Sequence, residues 1–292
     1  MTQIVQQQLP ASVSEVPQAT SDQHLLELWL DGRSPHTVRA YTADASAFLA
    51  HAGVPLRQVT IGHVQAYGAS LAELSTATRA RRLSTVKSLL SFAHRVGYVT
   101  FNVGAPVRLP PIKATLAERI VSEDDVLALI RAEADPRNKA LLSLLYRGGL
   151  RISEVAHLRW RDMVARGRDG GQVTVFGKGG KTRVVLLGAS LWRLLEEIRN
   201  SATGDEPVFR SAKGGHLDPS QIHRVVKAAA ARAGIAPALS AHWLRHAHAS
   251  HALDRGAPVH LVQSTLGHAS LATTSRYTHA RPNDSSARYL PG

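Results

Sequence analysis

The chain has no cysteine, which excludes disulfides, thiolate zinc sites and thiol catalysis. No apolar run approaches the ~20 residues that a membrane-spanning helix needs. The first residues, MTQIVQQQLPASVSEVPQATSDQ, lack the basic start and apolar stretch of a secretory leader. Their Gln, Ser, Pro and Val content reads as a poorly ordered tail over residues 1–23. Together these absences point to a cytoplasmic protein. One further absence is local: between Leu74 and Gly97 there is no acidic residue at all.

What is present is positive charge. Lys and Arg number 35 against 22 Asp and Glu, a formal charge of +13. An imbalance of that size calls for a polyanionic partner, nucleic acid before an anionic membrane surface. The basic residues are spread through periodic segments and not gathered in a tail, so the positive surface belongs to folded domains. With 292 residues, 44% of them hydrophobic, the chain can build two domains with separate cores.

The segment HLLELWL at 24–30 is followed by Ser34-Pro35, an N-cap and first-turn pair, and by Val38, Tyr41, Ala45, Phe48, Leu49 and Ala52 at helical spacing up to Gly53. TIGHVQAYGASLAEL and STATRARRLSTVKSLLSFAHRVG repeat the pattern, so residues 24–101 read as a bundle of about four helices. The acid-free last helix carries Arg79, Arg81, Arg82 and Lys87, which we expect to contact DNA. Residues 102–119 are proline-rich and aperiodic, the composition of an extended linker. A second domain, 120–282, opens with Ser122 and Asp125 at capping-box spacing and continues with a helix started by Asp135-Pro136. QVTVF and TRVVLL flank GKGGK as a hairpin, and two later helices begin at Asp218-Pro219 and Ser240. Residues 283–292 form a short tail containing Tyr289 and Leu290. The expected fold is mainly α with a small antiparallel β-sheet.

The polar motifs are individually weak and stronger together. Arg151 lies where one helix ends at Gly148-Gly149 and another begins, with Ser153 as its expected cap. GKGGKT is not a phosphate loop, because Val175 stands where the first glycine is required and a β-branched run follows. A lysine on that turn, Lys178 or Lys181, could instead bring a charge or a proton into a cleft. In SAHWLRH, His242, Arg245 and His246 fall within about a third of a helix circumference, close to its N-terminus, where anions are favoured. Zinc is disfavoured there: the glutamate of HExxH is missing, and Arg245 would stand beside the dication. TLGHASLATTSRYTH adds His268 and Tyr277. Two arginines, two histidines and a lysine around one phenol are what phosphoryl transfer to tyrosine needs. Cationic donors hold the non-bridging oxygens, a base takes the phenolic proton and an acid protonates the departing 5′ oxygen, without metal or other cofactor.

In GLRISE, GKGGK, H-x-L-R-H, LGH and the tyrosine stretch TTSRYTH, in this order and spacing, the chain resembles the tyrosine recombinases of the phage integrase superfamily, nearest the Xer type. The resemblance covers roughly residues 24–282. It implies a SAM-like helical core-binding domain and a mixed α/β catalytic domain, closing as a C-shaped clamp on double-stranded DNA that carries an inverted-repeat site. It implies Arg151, Arg245 and His268 on the scissile phosphate, Lys178 as general acid, His242 assisting as base and Tyr277 as nucleophile. His246 belongs to the motif in a structural role, and Lys181 contacts the DNA backbone. Four protomers, identical or paralogous, would act on two sites through a Holliday junction, with the tail docking on a neighbour. The role would be integration and excision or chromosome dimer resolution. Three other classes share parts of the pattern: a type IB topoisomerase, a non-catalytic DNA-binding protein, and a membrane-surface or RNA-binding protein.

Overall fold

The computed structural model describes residues 18–111, 120–167, 170–177, 180–235 and 239–268, together with Thr274 and Tyr277. The chain divides into two compact units at residues 113 and 114.

The first unit is built on four helices: α1 (Asp22–Leu30), α2 (Pro35–Ala52), α3 (Ile61–Ser70) and α4 (Thr76–Arg95). Their starts follow the local signals. The side chains of Ser34, Thr60 and Ser75 each accept the backbone N–H three residues on, and Gly53 closes α2 in a left-handed conformation. Leu25, Trp29, Phe48, Val64, Tyr67, Val86 and Leu90 meet in the core, with Phe48 and Tyr67 edge to face. The acid missing from α4 comes from α2. Asp44, only 4% exposed, accepts hydrogen bonds from both terminal nitrogens of Arg81 and from the Thr85 hydroxyl, and lies 3.9 Å from Arg82 Nε. The stretch expected as an extended linker begins with turns: Val103 and Val107 pack on the first core, and Lys87 donates to the carbonyls of Ala105 and Val107. Residues 112–119 of that stretch lie outside the described residues.

The second unit contains α5 (Glu123–Arg131), α6 (Pro136–Arg147), α7 (Ile152–Ala156), β1 (Met163–Ala165), β2 (Gly170–Phe176), β3 (Thr182–Gly188), α8 (Ala189–Arg199), α9 (Pro219–Arg232), α10 (Ala241–Asp254) and α11 (Val259–Leu266). Every residue of α6 from Ala140 to Tyr146 is buried, so this helix is the axis of the core. The three strands form one antiparallel sheet in the order β1-β2-β3. The molecule is therefore mainly helical with a small antiparallel sheet, as the sequence led us to expect. Ser122 and Asp135 cap α5 and α6, and Asp218 caps α9. Three elements, α8, α11 and the three-residue β1, were not among those expected. Ser153 is not a cap: α7 starts at Ile152 with Arg151 in the cap position, because the Glu154 carboxylate already accepts the Arg151 N–H.

Candidate active site

Arg151 is placed by the turn between α6 and α7. Its backbone N–H donates to Glu154 Oε2 at 2.7 Å, its Nη1 to Glu154 Oε1 at 2.9 Å, and its Nη2 to the Gly267 carbonyl at 3.3 Å. Arg183, on β3, forks onto the same carboxylate at 2.8 Å through each terminal nitrogen, while its Nε donates to the Thr265 carbonyl at 2.7 Å. Arg245, on α10 and 2% exposed, donates to the Gly149 carbonyl at 2.5 Å and to that of Leu266. Three guanidiniums around one carboxylate leave two positive charges in excess. The burial of Glu154 would raise its pKa, but the hydrogen bonds from Arg183 and Arg151 outweigh it and hold the carboxyl below its ordinary value. Burial, and then the charge of Arg151, bring the Arg245 pKa down to about 9. It therefore stays charged at neutral pH in a place that favours an added anion.

Two glycines make these contacts possible. Gly149 has φ +61°, and a Cβ there would stand 2.8 Å from the His248 ring; its carbonyl is the one that holds Arg245. Gly267 closes α11 at φ +64°, against the Arg183 side chain, and offers its carbonyl to Arg151.

His268 follows Gly267. Its Nδ1 lies 2.9 Å from the Thr274 hydroxyl, which turns Nε2 the other way. Burial first, and then the charges of Arg245, Arg151 and Arg183, push its pKa down to about 4, so the ring is neutral at pH 7. Its ring lies parallel to that of Tyr277, with centroids 6.4 Å apart. Thr274 and Tyr277 are both helical, and Tyr277 is 5% exposed. The tyrosine oxygen lies 2.5 Å from Nδ1 of His246. His242, one turn back on α10, is exposed, with its ring 4.2 Å from that of His246 and edge-on to it. An open cleft of about 480 Å³ is bounded by Arg151, Gly177, Lys181, Arg183, Gly267 and His268.

The structure thus gathers Arg151, His242, Arg245, His268 and Tyr277 in one cluster and places Lys181 at the rim of the adjoining cleft. Lys178 and Gly179 lie outside the described residues, between Gly177 and Gly180 of the β2–β3 turn. Tyr289 and Leu290 are outside them as well. Three members of the cluster were not assigned a chemical part from sequence: Glu154, Arg183 and His246. The signal for Glu154 was its spacing of three from Arg151. For Arg183 there was none, because its partners come from α7 and the end of α11.

Arginines and histidines gathered about a buried tyrosine, on a mainly helical unit with one small sheet, are the set of groups that a protein transferring phosphoryl groups to tyrosine requires. The comparisons name the family. Residues 119–284 match the phage integrase family and residues 22–97 match the N-terminal SAM-like domain of phage integrases. The tyrosine recombinase XerC of Xylella fastidiosa (strain M23) is 33% identical over 264 residues, covering 85% of this chain and 87% of that protein. The XerC of Rhodospirillum centenum (strain ATCC 51521 / SW) is 36% identical over 275 residues, with 86% and 80% covered. In fold the chain is similar to XerH site-specific recombinase bound to a palindromic difH substrate, post-cleavage (TM-score 0.73, 21% identity, 94% of this chain and 86% of that one). It is also similar to a lambda integrase (75–356) dimer bound to a COC′ core site (TM-score 0.72, 20% identity, 90% and 95% covered). The chain belongs to the phage integrase family and is a tyrosine recombinase of the Xer type, an enzyme that cleaves and rejoins DNA at specific sites.

Proposed function

We propose that Tyr277 attacks the scissile phosphodiester to give a 3′-phosphotyrosyl intermediate. Arg151, Arg245 and the neutral His268 would hold the non-bridging oxygens, and Lys178 would protonate the departing 5′ oxygen. His242, exposed on α10, would assist as base. The observation that carries the reading is the excess of two positive charges in a partly buried cluster that also contains the tyrosine. Charge developing on phosphorus oxygens is stabilised most by donors already fixed in such a place. No divalent ion is needed for this chemistry, and no group of ligands suited to one is found among the described residues.

The partner in this reading is double-stranded DNA with an inverted-repeat site. Arg79, Arg81, Arg82 and Lys87 on α4, with Lys181 on the hairpin, would contact phosphates, Arg81 being held in place by Asp44. Lambda integrase has been solved as a tetramer on a Holliday junction, and the same stoichiometry is proposed here because each of four cleaved strands needs one tyrosine. Residues 24–101 would be the core-binding domain and 120–282 the catalytic domain, with 283–292 docking on a neighbouring protomer. Among the described residues no helix is long and apolar enough to cross a membrane, and we place the enzyme in the cytoplasm, at the chromosome. Relationship to XerC proteins favours chromosome dimer resolution over mobile-element integration.

The test is a nicked suicide duplex that traps the covalent complex. Peptide mapping should find DNA on Tyr277, and the Tyr277→Phe protein should bind the same duplex without forming the adduct. DNA attached to another residue, or an undiminished adduct in Tyr277→Phe, would overturn the reading. A Tyr289→Phe protein should retain the adduct.

A further inference from the structure

His246 and His242 lie on the same side of α10 but at different depths. His246 is 9% exposed, and its Nδ1 is 2.5 Å from the tyrosine oxygen; His242 is exposed and meets His246 ring to ring. The nucleophile is therefore held by the imidazole that the motif left with a structural part. We propose that His246 is the catalytic base that takes the phenolic proton of Tyr277, an assignment that rests on the recombinase reading above.

In the step, the Tyr277 oxygen forms a bond to phosphorus as the phosphorus–5′-oxygen bond breaks. The phenolic proton passes to Nδ1 of a neutral His246 whose own hydrogen is on Nε2. The departing 5′ oxygen takes its proton from the general acid. On religation the 5′ hydroxyl attacks the phosphotyrosine and gives its proton back to the deprotonated general acid, while His246 returns its proton to the leaving phenolate. Atoms and charge balance in both directions with no further reactant.

The energetics explain why the proton stays on the phenol until DNA is bound. A phenol is a far weaker acid than an imidazolium, so transfer of the proton before the phosphate is attacked is unfavourable. Transfer must then accompany formation of the phosphorus–oxygen bond, when the phenol becomes far more acidic. Arg245, one position before His246 on α10, is buried and carries its charge beside the same tyrosine, so the phosphate-binding and proton-accepting groups sit together.

The experiment compares His246→Asn with His242→Asn on the suicide duplex, each with tyrosine or a ring-fluorinated tyrosine of lowered phenol pKa at position 277. Asparagine keeps a polar atom near the place of Nδ1 but cannot accept a proton. His246→Asn should bind the site as the parent does and form the adduct on the order of 10²-fold more slowly. Fluorination should restore at least about tenfold of that loss, because a more acidic phenol depends less on its base. His242→Asn should gain no comparable benefit. A His246→Asn protein cleaving at the parental rate, or rescue confined to His242→Asn, overturns the assignment. If His246→Asn does not fold, the ¹⁵N spectrum of the histidine-labelled parent decides: His246 Nδ1 should be unprotonated and shift in Tyr277→Phe, and a protonated Nδ1 rejects the base. Failure of the parent to form any Tyr277-linked adduct would remove the recombinase reading itself. Normal adduct with an indifferent His246 removes only the present inference.

Discussion

Arg183 and Glu154 form a two-pronged ion pair, 2.8 Å through each arm, across 29 residues of chain. The pair ties the first strand after the lysine turn to the helix that sets Arg151, and the remaining Arg183 nitrogen reaches back to the end of α11. Arg183 therefore links all three elements that border the cleft.

Removing that link should be costly. Arg183→Ala leaves a buried carboxylate with Arg151 as its remaining hydrogen-bonded guanidinium and should lower the unfolding free energy by about 3 kcal/mol or somewhat less. Arg183→Lys should recover only part of the loss, because an ammonium cannot fork. The urea midpoint measures both. A midpoint unchanged in Arg183→Ala would mean that the ion pair contributes nothing net.

Gly149→Ala should damage the site through the backbone. The added Cβ would occupy a left-handed conformation and press on the His248 ring, shifting the carbonyl that holds Arg245. We expect a loss on the order of 1–3 kcal/mol and slower adduct formation. Gly32→Ala, also at positive φ but with nothing within 4 Å, should cost only about 1 kcal/mol and leave cleavage intact.

His248 gives the stability a pH dependence. Burial pushes its pKa down to about 4, below the unfolded value near 6.5, while its Nδ1 lies 2.8 Å from the Tyr146 carbonyl. A depressed pKa means that the unfolded chain binds the extra proton. Its contribution is complete above about pH 6.5 and is lost as pH falls toward 4. His248→Asn can keep the hydrogen bond and should reduce the slope of unfolding free energy between pH 4.5 and 6 by up to one proton, about 1.4 kcal/mol per pH unit. Parallel profiles for parent and variant would reject this.

Lys178 and Arg151 should separate by leaving group. A bridging 5′-phosphorothiolate needs no proton to depart, so it should rescue Lys178→Ala and leave Arg151→Ala slow by on the order of 10²-fold or more. Lys181→Ala should be mild on either substrate. Rescue of Lys181→Ala in place of Lys178→Ala would exchange the two lysines, and rescue of neither would leave the hairpin only a role in positioning DNA.

Much of the architecture was legible because its causes are local. Ser34, Thr60, Ser122, Asp135 and Asp218 stand within three residues of the N–H groups they cap, so their helices could be read directly. Arg151, His242, Arg245, His268 and Tyr277 could be grouped because the motifs preserve order and spacing. What packing alone decided was which partner each side chain meets. The acid-free face of α4 reads as unpaired charge until α2 brings Asp44 to it from 37 residues away. β1 is three residues long and acquires strand geometry only by pairing with β2. His242 and His246 are equivalent on a helical wheel, one turn apart on the same side. Only the packing of Tyr277 against α10 and α11, where its ring is buried with Ala249, Val262 and Leu266, put the hydroxyl at His246. Spacing along a chain defines directions around a helix axis, whereas depth below the surface depends on what the rest of the chain packs above it.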